Sequence, residues 1–231
     1  SYSLMRILIV DDEADLREIL QFNIQSWGYD TLCAESAECA LEIIRSGESI
    51  DLILLDVMLP GMSGFKLASI IRGEMNLSIP IIFLTAKISE NDMLTGFSAG
   101  GDDYITKPFS INEVRARIQA VLKRSTATSD TAQEQTIHLQ SLTLDPVAQK
   151  AFVDGKEIAL SKKEYDILHL LATNPGRCFS RGEFLEMLWK DSPYITERTV
   201  DVHIARIRAK LGAKCKDLIT NRIGFGYCIN K

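Results

Sequence analysis

Along the first half of the chain, short apolar runs alternate with longer stretches in which apolar residues recur every three or four positions. MRILIV (5–10), YDTLC, DLILLD, PIIFLT and DYIT have the length and composition of strands. The segments that follow them, ADLREILQFNIQSWG, SAECALEIIRSG, FKLASIIRG, NDMLTGFSAG and SINEVRARIQAVLKR, carry helical periodicity. Gly28 ends the first of these helices, and Ser36 and Gly47 bracket the second. Five β-α units of this size predict an α/β fold, a five-stranded doubly wound parallel sheet with helices on both faces.

The pattern stops at STATSDTAQEQ (125–135), which has no aliphatic residue larger than alanine and no period. That composition predicts a linker between a domain at 5–124 and another at 136–231. The second begins with strand-like runs (IHLQSLTL, KAFV, KEIAL). Three helix candidates follow, SKKEYDILHLLATN, SRGEFLEMLWK and TERTVDVHIARIRAKLG, and then a hairpin in DLITNRIGFGYCINK that turns at Gly224 or Gly226. Ser-x-x-Glu stands just ahead of an apolar-periodic run at Ser110/Glu113, Ser161/Glu164 and Ser180/Glu183, predicting three capping boxes. The order predicts an α+β domain.

Charge separates the halves further. Residues 1–122 hold 9 Lys+Arg against 18 Asp+Glu, a net of −9, whereas 136–231 hold 15 against 11, a net of +4. An acidic half joined to a basic one points to different partners, nucleic acid for the second. No apolar run approaches the roughly 20 residues of a membrane span. SYSL ahead of Met5 lacks the basic and apolar regions of a signal peptide, so a cytoplasmic protein without membrane association is expected. Five cysteines (Cys33, Cys39, Cys178, Cys215, Cys228) without a C-x-x-C pair predict buried or incidental thiols, neither a disulfide framework nor a zinc site.

Chemistry concentrates where the first five strands end. Asp11 and Asp12 follow the first, Asp56 the third, Thr85 the fourth and Lys107 the fifth, all on the edge of an open parallel sheet where function resides. Two carboxylates about 4 Å apart repel by about 4 kcal/mol at an effective dielectric near 20, so three converging ones require a compensating cation. Mg²⁺, with Mn²⁺ as a substitute, and the Lys107 ammonium would supply it, and an aspartate so flanked is suited to accept a phosphoryl group. Each residue alone has an ordinary reading, Asp11 or Asp12 as a helix cap and Asp56 as a turn residue. Their conjunction carries the functional one.

ILIVDDE, LILLDVMLPGMSG, PIIFLTA and GGDDYITKPF, over about 120 residues, closely resemble the flavodoxin-like receiver domain of bacterial two-component response regulators. The resemblance implies that Asp56 is the phosphoacceptor served by a sensor histidine kinase. Asp12 and Asp56 would ligate Mg²⁺ directly, Asp11 through water, and Met58 through its backbone carbonyl. Thr85 would be the switch hydroxyl and Tyr104 the switch aromatic.

Glu113, Arg117, Ala120 and Arg124 form one stripe on the last receiver helix, with Asp102 and Asp103 just upstream. Alone, this is a solvated face with weak pairs. In the OmpR/PhoB-type subfamily, which the chain resembles, these positions form the dimer interface that phosphorylation promotes. Met93 departs from the basic residue that many members place opposite Glu113.

In the basic half, Val200, Ile204, Ile207 and Leu211 form one face of a helix, and Arg198, Val202, Ala205 and Ala209 the opposite one, with Arg206 at its margin. Small side chains among arginines let a helix approach the major groove. VDGKEIALSKKEYDILHLLATNPG, SRGEFLEMLW, ERTVDVHIARIRAKLG and GFGY resemble the winged helix-turn-helix DNA-binding domain of the same subfamily. The likeness implies a recognition helix within 196–211, DNA backbone contacts from Arg198, His203 and Arg208, and an RNA polymerase loop at KDSPYI (190–195). His203 has a second reading as a packing residue. Ala205 stands where relatives often have arginine, and Arg222 comes one residue early in the wing, which reverses its side of the strand.

Together these features predict a response regulator that is not a conventional enzyme, is phosphorylated on Asp56, dimerises and binds double-stranded DNA. The alternatives are a regulator that works without phosphorylation and a metal-dependent phosphotransferase, for which no separate acid-base residue is found. A pure interaction module would leave the Asp-Asp-Asp-Thr-Lys set unexplained.

Overall fold

The chain divides into two compact units, residues 1–126 and 127–231, and the computed structural model describes residues 4–86, 89–126, 136–190 and 195–230. In the first unit β1 (Arg6–Val10), β2 (Asp30–Ala34), β3 (Leu52–Asp56), β4 (Ile81–Thr85) and β5 (Asp103–Thr106) form a parallel sheet in the order β2-β1-β3-β4-β5. β3 and β4 are buried at every position, and β1 at all but Arg6, as uninterrupted Ile, Leu and Val runs require when both faces are covered.

The cover comes from α1 (Ala14–Ser26), α2 (Ala37–Arg45), α3 (Gly64–Ser69), α4 (Glu90–Ala99) and α5 (Ile111–Thr126). Leu20 and Ile24 of α1 and Val114, Ile118 and Val121 of α5 pack on one sheet face against Ile7, Ile9, Leu54 and Ile82. Because β1 pairs with both β2 and β3, the winding direction reverses between β1 and β3. The carboxyl ends of those two strands therefore open a crevice, and Asp11, Asp12 and Asp56 stand at it.

The helix expected over FKLASIIRG is α3 followed by a wider π-turn, Ile70–Glu74, at which Arg72 turns inward. Its guanidinium donates to the carbonyls of Gly100 and Leu77 and to Asp102 Oδ2 at 3.0 Å. Nothing in the local sequence signals this, because its cause lies about thirty residues downstream.

In the second unit, IHLQSLTL is not one strand but a hairpin of β6 (Ile137–Leu139) and β7 (Leu142–Asp145). It turns at Gln140, which adopts φ 53°, a left-handed conformation that a glutamine does not advertise. With β8 (Lys150–Val153) and β9 (Lys156–Ile158) these strands form a four-stranded antiparallel sheet. Three helices follow, α6 (Lys162–Ala172), α7 (Arg181–Leu188) and α8 (Glu197–Cys215), the last broken at Gly212. Ser161 and Ser180 close complete capping boxes with Glu164 and Glu183, and Ser110 Oγ accepts the Glu113 amide at 3.1 Å. Val200, Ile204, Ile207 and Leu211 are buried together with Ile167, Leu168, Phe184 and Tyr227.

The chain ends in the hairpin β10 (Ile219–Arg222) and β11 (Gly226–Ile229). Gly226 holds φ 109°, and a Cβ there would collide with the Phe179 carbonyl oxygen, because β11 also pairs with the segment before α7. Gly226→Ala is expected to destabilise this unit by about 2–4 kcal/mol. Urea unfolding followed by Trp189 fluorescence, with Trp27 replaced by Phe, measures it.

The expectation of unpaired thiols is corrected at one place. Cys178 and Cys228 are joined as a disulfide, whereas Cys33, Cys39 and Cys215 are free. Fifty residues separate the two in sequence, and only the pairing of the segment before α7 with β11 brings them together.

Candidate functional site: an acidic pocket and a winged helix

Asp11, Asp12 and Asp56 each offer a carboxylate oxygen within 4.8 Å of the others. Asp11 and Asp56 are buried and Asp12 is exposed, so the pocket has a floor and an open mouth. Lys107, at the end of β5, donates to Asp56 Oδ2 at 2.8 Å and Asp11 Oδ2 at 3.1 Å. The strand that places Lys107 is held in register by its own amide, which donates to the Thr85 carbonyl at 2.8 Å, and the Lys107–Pro108 peptide is cis. Burial works against the ammonium, but its two carboxylate partners outweigh that and raise its pKa.

The Asp56 carboxylate is oriented from its other side as well. Oδ1 accepts the Met58 amide at 2.8 Å, leaving Oδ2 on Lys107. Thr85 is fully buried at the end of β4, next to β3 in the sheet. Tyr104 is buried too, its ring 5.5 Å from that of Phe83 and its hydroxyl donating to the Asp92 carbonyl at 3.1 Å. Gly96 makes this possible, since a Cβ there would strike the Tyr104 and Phe65 rings.

In the second unit α8 presents Arg198, Ala205 and Ala209 to solvent, with Val202 half-buried. Arg222 is exposed on β10, ahead of a wing tip that carries Ile223 at 94% exposure and Phe225 at 71%. His203, expected at the DNA backbone or as a packing residue, packs inside the domain. It is 1% exposed, its Nδ1 lies 2.8 Å from the Thr199 carbonyl, and its ring meets Trp189 edge-on at 5.2 Å. Burial lowers its pKa to about 4, so it sits neutral in the core.

Arg206 and Arg208 are held within the domain. Arg206 Nε donates to Glu164 at 2.9 Å. Arg208 donates to the Ile219 carbonyl at 2.8 Å and lies over the Tyr227 ring. The loop expected to meet RNA polymerase falls largely outside the described residues, at 191–194.

Residues 7–119 match the family described as the response regulator receiver domain, and residues 155–229 match the C-terminal domain of transcriptional regulatory proteins. The phosphate regulon transcriptional regulatory protein PhoB of Pseudomonas aeruginosa is 44% identical over 96% of this chain and 95% of its own length. PhoB of Escherichia coli is 39% identical over 96% of each. The chain belongs to the OmpR/PhoB family of response regulators. Among solved structures, Thermotoga maritima DrrB, an OmpR/PhoB homolog, is 29% identical with a TM-score of 0.51, covering 99% of this chain and all of that one. A RitR mutant is 27% identical with a TM-score of 0.76, covering 98% of this chain and 99% of its own.

As a response regulator of this family, the protein has a histidine kinase and DNA as partners, and it is not a conventional enzyme. Its carboxylate triad can hold a divalent cation: three anionic oxygens lie within 4.8 Å of one another, and one of the residues is open to solvent. Among the described residues no helix is long and apolar enough to cross a membrane.

Three members of the expected dimer stripe are paired within the chain. Asp102 is 1% exposed and ion-paired to Arg72 at 3.0 Å, so it faces the interior. Asp103 and Arg117 are buried and pair with each other at 3.5 Å within the chain. Glu113 is half-buried at the start of α5, and the side chains of Arg124 and Met93 lie outside the described residues.

Burial and the nearby Asp56 charge, against the Glu13 amide and Lys107, raise the Asp11 pKa to about 6. A raised carboxyl pKa means that the fold favours the protonated form; the carboxylate costs stability above that pH, and the cost fades as pH falls toward the usual carboxylate range. A cation needs the carboxylate, so its affinity has the opposite dependence. Lowering pH from about 7 to about 5 is expected to weaken divalent-cation binding about tenfold through Asp11 alone, measurable by calorimetric titration.

Two residues at the pocket had gone unnoticed in the sequence. Glu13 Oε1 lies 3.6 Å from Lys107 Nζ, a fourth carboxylate at the mouth whose place as the last residue of the DDE run was its only signal. Gly64 caps the loop after β3, with its amide on the Val57 carbonyl and no room for a Cβ beside the Asp56 carbonyl.

Proposed function

We propose that this response regulator is switched by phosphorylation of Asp56 and acts on transcription in the cytoplasm. The observation that carries it is the pair of contacts from Lys107 to Asp56 and Asp11, at 2.8 and 3.1 Å, at the sheet's switch point in a chain joined to a winged helix. Oδ1 of Asp56 stays on the Met58 amide while Oδ2 attacks phosphorus. The new O–P bond forms as the P–N bond of the kinase phosphohistidine breaks, and the electron pair leaves with the imidazole nitrogen. Lys107 then holds a phosphoryl oxygen that carries the charge it previously met on the carboxylate. Asp12 and Asp56 would hold Mg²⁺, or Mn²⁺ in its place, directly, Asp11 through water and Met58 through its backbone carbonyl, and the cation would supply charge neutralisation.

Thr85 is the hydroxyl that moves toward the phosphoryl group, and Tyr104, behind it on β5, follows. Dimerisation through the α5 face, including Glu113 and Arg124, with Asp103 and Arg117 exchanging their intrachain pair for one across the two-fold axis, is supported by the family likeness. On DNA, Arg198, Val202 and Ala205 of α8 approach the major groove, Arg206 and Arg208 flank it, and Arg222 meets the backbone at the wing. The loop 190–195 is the surface for RNA polymerase.

Acetyl phosphate with Mg²⁺ tests the reading without the kinase. Expected are an acyl phosphate on the chain, a shift from monomer to dimer by sedimentation, and tighter duplex binding. Duplex binding by a protein that takes no phosphoryl group would instead assign it to regulators that work without phosphorylation.

A further inference from the structure

Cys178 lies two residues ahead of the Ser180 cap of α7, and Cys228 lies in β11. The Phe179 amide donates to the Tyr227 carbonyl at 2.9 Å and the Tyr227 amide to the Phe179 carbonyl at 3.0 Å. Phe179 and Tyr227 are thus the hydrogen-bonded pair of a short antiparallel ladder, and Cys178 and Cys228 occupy the adjacent pair that exchanges no hydrogen bonds. Side chains approach each other most closely at such positions, and here the Cα atoms are 4.3 Å apart. The ladder itself is held by backbone hydrogen bonds and by the buried Phe179 and Tyr227, so it faces the two sulfurs toward each other whether or not they are bonded.

The bond closes a loop of fifty residues that contains α7, α8 and both wing strands, which is the whole DNA-reading part of the domain. Next to Cys228, the Tyr227 hydroxyl donates to Asp201 of α8 at 2.6 Å and lies 3.4 Å from Arg181 of α7, so one short strand ties wing, α7 and α8 together. Cys178 is half-buried and Cys228 fully buried, which orders the chemistry. We infer that Cys178 and Cys228 form a reversible thiol-modification site, closed by exchange with a low-molecular-weight disulfide, that tightens the DNA-reading elements.

The Cys178 thiolate attacks one sulfur of oxidised glutathione, whose S–S bond breaks to release one glutathione thiolate. The Cys228 thiolate then attacks Sγ of Cys178 in the mixed disulfide and expels the second. Two electrons pass from the protein to glutathione, and the two protons lost by the cysteines end on the two glutathione thiols. The cytosol keeps most thiols reduced, so a pair poised in this way responds to a change in that balance.

The inference rests on the assignment of α7, α8 and the wing to DNA, and its chemistry is read without DNA. The full chain, with Cys33, Cys39 and Cys215 replaced by Ser, is equilibrated in reduced and oxidised glutathione, quenched by alkylation and mapped by mass spectrometry. The expected result is a Cys178–Cys228 bond that opens and closes with the ratio. The thermal midpoint of the C-terminal unit should be about 5–15 °C higher in the closed form. Retention of a random-sequence duplex should be about threefold to tenfold stronger. Cys178→Ser, at the half-buried position, should abolish all three responses and bind duplex like the reduced protein. Glutathione left on Cys178 without closure, or closure with an unchanged midpoint, overturns the inference. Closure with the expected midpoint shift in a protein that never retains duplex overturns the DNA assignment.

Discussion

Asp56→Asn abolishes phosphoryl uptake, with labelling by acetyl phosphate falling at least about a hundredfold relative to the parent chain, as read by phosphate-affinity electrophoresis. The substitution is nearly isosteric. The amide oxygen can still accept the Met58 N–H that Oδ1 accepts at 2.8 Å, and Lys107 keeps Asp11 at 3.1 Å. What disappears is the nucleophile, one of three mutually repelling charges and the 2.8 Å contact from Lys107 to Oδ2. The fold should therefore survive with its thermal midpoint little changed, because relief of the repulsion that raises the Asp11 pKa offsets the lost Lys107 pair. Labelling of D56N equal to that of the parent would place the phosphoryl group on another residue and remove the mechanism.

Glu164→Ala is expected to cost the C-terminal unit about 3–5 kcal/mol in urea unfolding read through Trp189. Glu164 is 1% exposed and serves two structures at once. One oxygen caps α6 by accepting the Ser161 amide at 2.8 Å, and the carboxylate also holds Arg206 at 2.9 Å and Lys210 at 2.5 Å, both from α8. Burial alone would raise its carboxyl, but Lys210, the Ser161 amide and Arg206 outweigh this and hold it below the usual range. A depressed carboxyl pKa contributes stability that is present at neutral pH and lost as pH falls through the folded value. The parent domain should therefore weaken in acid, and the E164A protein should weaken less over the same range. A loss no larger than that of a simple cap, about 1 kcal/mol, would mean that the two cations do not depend on Glu164.

Much of this was readable along the chain. Unbroken apolar strands such as LILLD and IIFLT can be stable only between two layers, and the polar residues that follow them must then gather at one sheet edge, so Asp11, Asp12, Asp56, Thr85 and Lys107 follow from strand order and length. Capping boxes are equally local, since Ser161 and Glu164 meet across one turn of the same helix. The partners that the sequence did not show share a different cause. Asp102, His203 and Arg206 looked like surface residues because each is polar and no local period marks it as buried. Their fates were decided by Arg72, Trp189 and Glu164, which are brought against them by other elements.

By itself, then, the sequence determined the two domain types, the order of their elements, the face of α8 that is buried and the set of acidic and basic groups at the receiver's edge, all through patterns of a few residues' range. Only the tertiary structure decided which oxygen of Asp56 faces Lys107, that Arg72 and Asp102 meet inside the receiver, that His203 is core, and that Cys178 and Cys228 meet across a ladder. Burial and pairing between residues tens of positions apart depend on the packing of whole elements, and no local period in the chain encodes that.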